Sequence, residues 1–241
     1  DRELRSALGN VELVDALSPL ERLRAIKSPA EIEMLRQASE RVVDSMLATL
    51  RTCAPGKTKR EFVETLRREE VNRGLGFDYC LITAGASHNR APSDVVLKSG
   101  DVMSIDSGGN FHGYIGDLAR MGIIGEPDGE LEELLGYVEE VQQAARKPIK
   151  PGARGGEIYT FAEEPLKRSS HHPYVHFMAH GMGLVSHEAP RLSGTNPVPY
   201  PGHDENLPLE SGMVISVETT MSHPRRGYIK IEDTIVVTDI G

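Results

Sequence analysis

The sequence predicts a mixed helix-and-strand protein made of two similar halves, each running helix, Pro-Gly break, helix and then strands that carry acids. Two repeated phrases and the alternation of element types predict it. "LKSGDVMSIDSGG" at 97–109 is echoed by "LESGMVISVETT" at 209–220, with Asp106 ending the first strand and Glu218 the second. "APGKTKREF" is echoed by "KPGARGGEI", each following a helix. Such self-similarity marks an internal duplication. The plainer reading is that two hairpins start alike, because Ser-Gly before a strand is ordinary turn chemistry.

The elements follow in order. "SPAEIEMLRQASERVVDSMLATLR" offers Ser28 as a cap, Pro29 in the first turn and Glu31 three residues after the cap, then apolar residues at helical spacing. Thr58 caps a second helix through about Arg73. "DGELEELLGYVEEVQQAARK" and the stretch after "KPGAR" repeat the pattern. Strands are expected in "FDYCLITA", "DVMSID", "FHGYIGDLARMGII", "MVISVETT" and "YIKIEDTIVVT", from their β-branched content and alternation.

Composition sets the frame. The 241 residues are 39% hydrophobic and 26% charged, enough for one large α/β domain or two small ones. With 27 Lys plus Arg against 36 Asp plus Glu the net charge is -9, which argues against nucleic acid as the main partner. Cys53 and Cys80 are too few for a disulfide framework or a thiolate metal site, and read as free thiols in a reducing cytoplasm. No apolar run approaches the ~20 residues needed to span a membrane, and "DRELRSALGN" is not a signal peptide. The absence of an initiator Met reads as a fragment of a longer chain.

The acids are where the chemistry gathers. Asp106 and Asp117 flank the turn "SGGNFHG", so a hairpin can bring both onto one face, and Glu218 and Glu232 stand on the last two strands in the same way. If the halves pack about a pseudo-twofold axis, these carboxylates meet near it and demand a cation. Between the pairs lies "HFMAHGMGLVSHEAP", with His176, His180 and His187. Four hard oxygen ligands plus imidazole suit Mn, Co, Fe or Zn. Two ions about 3.5–4 Å apart, bridged by carboxylates, would spread the negative charge and hold a shared hydroxide nucleophile. Taken singly, Asp106 is as easily a turn cap, His180 a satisfied core histidine and Glu218 a surface acid.

"IDSGGNFHGYIGDLAR", "HGMGLVSHEAP", "MVISVETT" and "KIEDTIVVT" together resemble the ordered motifs of the pita-bread metallopeptidases, the group of methionine aminopeptidase, aminopeptidase P and prolidase. The resemblance covers about residues 26–241. It implies an α+β fold of two pseudo-symmetric halves, with helices packed on a curved, mostly antiparallel sheet. It carries the dinuclear ligands onto Asp106, Asp117, His180, Glu218 and Glu232, with Mn foremost, and has Glu218 exchange a proton with the bridging water. His176 and His187, four before and seven after His180, resemble the accessory histidines of aminopeptidase P and point to the Xaa-Pro branch. "LRAIKSPAEIEMLRQA" resembles the linker and first catalytic helix of two-domain Xaa-Pro peptidases, which makes residues 1–25 a linker or the tail of an absent amino-terminal domain. A homodimer is also implied.

The sequence departs from the family pattern twice. The register of the usual pocket histidine holds Asn89, with His88 one place earlier and able to serve if the loop shifts by one residue. Lys230 stands where an Arg is usual, keeping the charge without the bidentate fork. The expected function is a di-metal Xaa-Pro exopeptidase of aminopeptidase P or prolidase type, with His88, His176 and His187 lining the substrate pocket. Its alternatives are a creatinase-like C–N hydrolase of a small non-peptide amide and a catalytically silent peptide-binding module.

Overall fold

Capping chemistry starts the helices where the sequence places them. The computed structural model describes residues 2–9, 11–193 and 202–241. In α3 (Pro29–Arg51) the Ser28 hydroxyl accepts from the Glu31 backbone N–H, and the Glu31 carboxylate accepts from the Ser28 N–H at 2.8 Å. Thr58 and Glu61 repeat this box at α4 (Lys59–Asn72). In the second half Asp128 caps α5 (Gly129–Arg146), and Glu157 accepts from the Arg154 N–H at the start of α6 (Gly155–Lys167). Ahead of them lie α1 (Arg2–Leu8) and α2 (Leu17–Ala25), in the stretch expected to be a linker.

The strands β1 (Gly76–Ile82), β2 (Val102–Phe111), β3 (Tyr114–Ile123), β4 (Val175–Gly181), β5 (Val214–His223) and β6 (Gly227–Val236) form one antiparallel sheet in the order β1-β2-β3-β6-β5-β4. Each half contributes three consecutive strands, and the halves join with reversed order at β3 and β6. This is the arrangement an internal duplication about a twofold produces. Helix α3 lays Leu35, Ala38, Val42 and Met46, at helical spacing, toward the sheet. Its backbone comes so close to β3 that a Cβ on Gly116 would sit 2.7 Å from the Ala38 carbonyl carbon, which only glycine permits. Each half has its own apolar cluster, one around Val42, Phe62 and Ile105 and one around Val141, Ile158 and Ile215.

Three local features differ from the sequence reading or lie outside it. β2 runs on through Phe111, and the turn is His112–Gly113, both at positive φ, instead of the longer "SGGNFHG". The segment "VHFMAHG" is strand β4. His223 is buried at the end of β5, where its Nδ1 accepts from the Arg226 N–H at 3.0 Å. Among the described residues no helix is long and apolar enough to cross a membrane.

Candidate metal centre

Strand register brings the acids together. Asp106 pairs with Ala119 and Gly108 pairs with Asp117, so the two acids are offset by one same-face step of the hairpin. Glu218 and Glu232 stand directly opposite each other, and Ala119 pairs with Glu232 across the junction of the halves. His180 on β4 pairs with Ser216, one same-face step from Glu218. All five side chains are therefore driven to one place at the join, and all five residues are buried. Like charges opposite each other on a sheet destabilise it unless a cation intervenes.

Protein cations supply part of that charge. Lys230 Nζ donates to Asp106 Oδ2 at 2.6 Å, lies 2.8 Å from Glu232 Oε2 and pairs with Glu218 Oε2. Arg90 pairs with the same Asp106 oxygen, the Tyr79 hydroxyl donates to Asp117 Oδ1, and Ser216 Oγ donates to Glu232 Oε1 at 2.8 Å. Asp106 Oδ1 and His180 Nε2 are buried without a hydrogen-bond partner, an arrangement that is costly unless something else engages them, and Glu232 Oε2 has the Lys230 ammonium beside it but no well-directed hydrogen bond.

The donor set fits divalent metal. Asp106, Asp117 and Glu232 form one three-ligand group and His180, Glu218 and Glu232 another, each with ligand atoms within 4.8 Å of one another. Glu232 belongs to both groups, which is what two ions sharing a bridging carboxylate require. Asp117, His180 and His187 also come within the same reach. Oxygen-rich ligands with imidazole and no thiolate match Mn, Co, Fe or Zn.

The electrostatics show how strongly these buried charges act on one another. Burial pushes the Asp106, Asp117 and Glu218 carboxyls up, and the Glu232 charge adds to it. Burial acts on Glu232 in the same sense, but Lys230 and His180 more than reverse it and hold that carboxyl below its ordinary range. For His180, burial is outweighed by Glu232, Glu218 and Asp117, and its imidazolium persists up to about 9. His187 stacks on His180 with centroids 3.7 Å apart and planes at 10°. Burial, and then the His180 charge, push His187 down to about 4; burial lowers His176 as well.

The cluster opens into a cavity of about 790 Å³, into which His176, His187, Tyr79, Arg90, Arg191 and Tyr228 also face. His88 does not line it. Its ring is on an exposed loop with Nε2 3.2 Å from the His223 carbonyl oxygen. Asn89 turns its side chain back to accept from the Ala91 N–H, so Arg90 is the group this loop sends inward. Sequence reasoning missed Arg90, Tyr79 and Arg191. The signal for the first was present, since a pocket of four acids calls for cations close by.

Comparison with known proteins agrees with this geometry. The sequence profile of Metallopeptidase family M24 matches residues 33–239. An Xaa-Pro dipeptidase of Pyrococcus furiosus is 32% identical over 226 residues, covering 91% of this chain and 62% of that protein. Among solved structures, dipeptidase PepE from Mycobacterium ulcerans superposes with a TM-score of 0.87 at 29% identity, over 100% of this chain and 64% of that one. An X-Pro aminopeptidase from Thermotoga maritima gives 0.86 at 27% identity, over 100% and 67%. This chain thus spans a little under two thirds of the length of the Pyrococcus protein. Its fold is the pita-bread fold of these neighbours. With the family profile matching nearly the whole catalytic fold and every motif acid gathered at the join, the chain belongs to metallopeptidase family M24.

Proposed function

We propose that this chain is the catalytic part of a two-metal Xaa-Pro exopeptidase. The observation that carries the reading is the convergence of Asp106, Asp117, His180, Glu218 and Glu232, from both halves, into two ligand groups that share Glu232. Two divalent ions, Mn foremost, would supply Lewis acidity and an activated water there. Glu218 stands at the cavity wall within one of the ligand groups, and is placed to take a proton from the attacking water and return it to the leaving nitrogen. His176 and His187, solvent-accessible on the cavity wall and with their imidazoles held below the ordinary histidine range by partial desolvation, face the cavity and can donate an N–H to the scissile carbonyl as negative charge develops on it. His88, outside the cavity, has no part in this scheme, and Arg90 takes its place in the pocket.

Substrate class rests on charge and kinship. Four ligand carboxylates face Lys230 and Arg90, so two divalent ions would turn the pocket net positive and suited to the carboxylate end of a short peptide. Relatives named Xaa-Pro dipeptidase and X-Pro aminopeptidase support a bond to proline. A homodimer in a reducing cytoplasm belongs to the same reading, in keeping with the free thiols Cys53 and Cys80.

The test is metal content per chain by elemental analysis, after purification and after soaking in Mn, with an Asp106→Ala, His180→Ala double variant as control. About two equivalents, lost in the variant, are expected, followed by turnover on a panel of Xaa-Pro peptides. No metal at any Mn concentration would overturn the mechanism and favour a metal-free C–N hydrolase or a binding module. Metal uptake with turnover of other amides but of no Xaa-Pro peptide would overturn the substrate assignment alone.

A further inference from the structure

The loop after β4 carries His187 and Arg191 to the cavity, and the segment ahead of α3 grips it at both places. Glu188, next to His187, is 1% exposed; its Oε1 accepts from Lys27 Nζ at 3.0 Å and its Oε2 from Arg24 at 3.3 Å. The Arg191 guanidinium donates through Nε and Nη2 to the two oxygens of Glu21, at 2.6 Å each. The Arg191 backbone N–H donates to Asp204, which also accepts from Arg22 at 3.0 Å. Lys27 is itself anchored, since its backbone N–H donates to the Gly212 carbonyl at 2.9 Å just before β5.

Glu21, Lys27 and Glu188 are each less than 5% exposed. Buried ion pairs add little stability compared with apolar residues of the same shape, but they constrain direction, the forked Arg–carboxylate pair most of all. The same helix leaves Leu17, Leu20 and Leu23 exposed and adds only the small Ala25 to the apolar cluster that holds Ala189 and Leu192, so the directional contacts between helix and loop are the charged ones. Such a joint is suited to holding a loop in one orientation.

We propose that Lys27 and Glu21 are positioning residues for catalysis: through Glu188 and Arg191 they fix the loop that stacks His187 on His180 and sets Arg191 in the cavity wall. This rests on the function proposed above in giving His187 a part in turnover. Neither residue touches substrate. Each acts through its partner on the loop, so a helix that precedes the catalytic fold belongs to the active site.

A double-mutant cycle tests it on the Mn-loaded chain, with kcat and KM on an Xaa-Pro dipeptide for Lys27→Met, His187→Ala and the pair, and metal content measured alongside. Lys27→Met is expected to lower kcat on the order of tenfold, as small misplacements of a catalytic group do, with metal content unchanged. In the His187→Ala background it should cause no further loss. Glu21→Gln, which keeps the shape of Glu21, should raise KM more than it lowers kcat. Losses that multiply in the cycle overturn the proposal while leaving the part of His187 intact. Full turnover in His187→Ala overturns that part and this proposal with it. If Lys27→Met does not fold, Lys27→Met/Glu188→Gln, which removes both charges together, takes its place in the cycle.

Discussion

Glu70 gives a stability prediction that does not depend on the metal. Its side chain is fully buried at the end of α4, with Oε1 2.9 Å from Ser107 Oγ and Oε2 without a partner. Ser107 Oγ also lies 2.7 Å from the Tyr79 carbonyl oxygen. A hydroxyl has one proton to give, so the contacts are satisfied in one direction only: a protonated Glu70 donates to Ser107, and Ser107 donates to Tyr79. Ionised Glu70 would draw that proton to itself and leave the Tyr79 carbonyl without it. Burial, with the Asp78 charge adding to it against the Ser107 hydrogen bond, raises Glu70 from 4.5 to about 8.

The sign follows from proton counting. Between 4.5 and 8 the folded chain keeps a proton that the unfolded chain has lost, so this group's contribution to stability falls as pH rises through that window and levels off above it. At about 1.4 kcal/mol per pH unit, the fall from pH 5 to pH 8 is about 4 kcal/mol. Glu70→Gln, whose amide can donate to Ser107 as the protonated acid does, should abolish it. Urea unfolding of both chains at pH 5, 6, 7 and 8 measures the difference. Its growth in favour of the variant with pH is the expected result. Two curves that stay parallel from pH 5 to 8 would refute the reasoning.

Other substitutions probe the join, the loop and the helix starts. Lys230→Met strips the ammonium from three buried carboxylates and should destabilise the metal-free chain by roughly 3–5 kcal/mol, a gap that narrows in thermal melts once Mn is added. Gly181→Ala places a Cβ 2.3 Å from the Ala189 and Pro190 backbone, which cannot swing aside; denaturant melts should show a loss of about 3 kcal/mol. Thr58→Ala removes the acceptor for the Glu61 N–H and should lower stability by about 1 kcal/mol in the same assay.

What could be read from the sequence was whatever depends on neighbours along the chain. The Ser28 and Thr58 boxes are local devices, and both helices start where those residues place them. The acids of β2, β3, β5 and β6 were legible because each lies in a strand of clear β character, and their order along the chain matches that of the family. Strand β4 was hidden because "VHFMAHG" holds a single β-branched residue and two histidines, and pairing with β5 overrides that weak propensity. Arg191 could not be found because its partner is distant in the chain. The ion pair of Arg191 with Glu21 spans 170 positions. For the same reason α2 reads as a tail, since nothing in "LSPLERLRA" announces that its charges meet the loop after β4.

The halves meet where Ala119 pairs with Glu232, and across the same seam Arg120 donates to the Glu232 carbonyl oxygen and the Thr234 hydroxyl to that of Asp117. Ligand groups that straddle this seam turn any bound ion into a clasp between segments far apart in the chain, stabilising the fold by mass action, with the logarithm of the free ion concentration over its dissociation constant. Chelation would then do more than silence chemistry. It would loosen the seam, so proteolysis and amide exchange near Ala119 and Glu232 should quicken in step with the loss of metal.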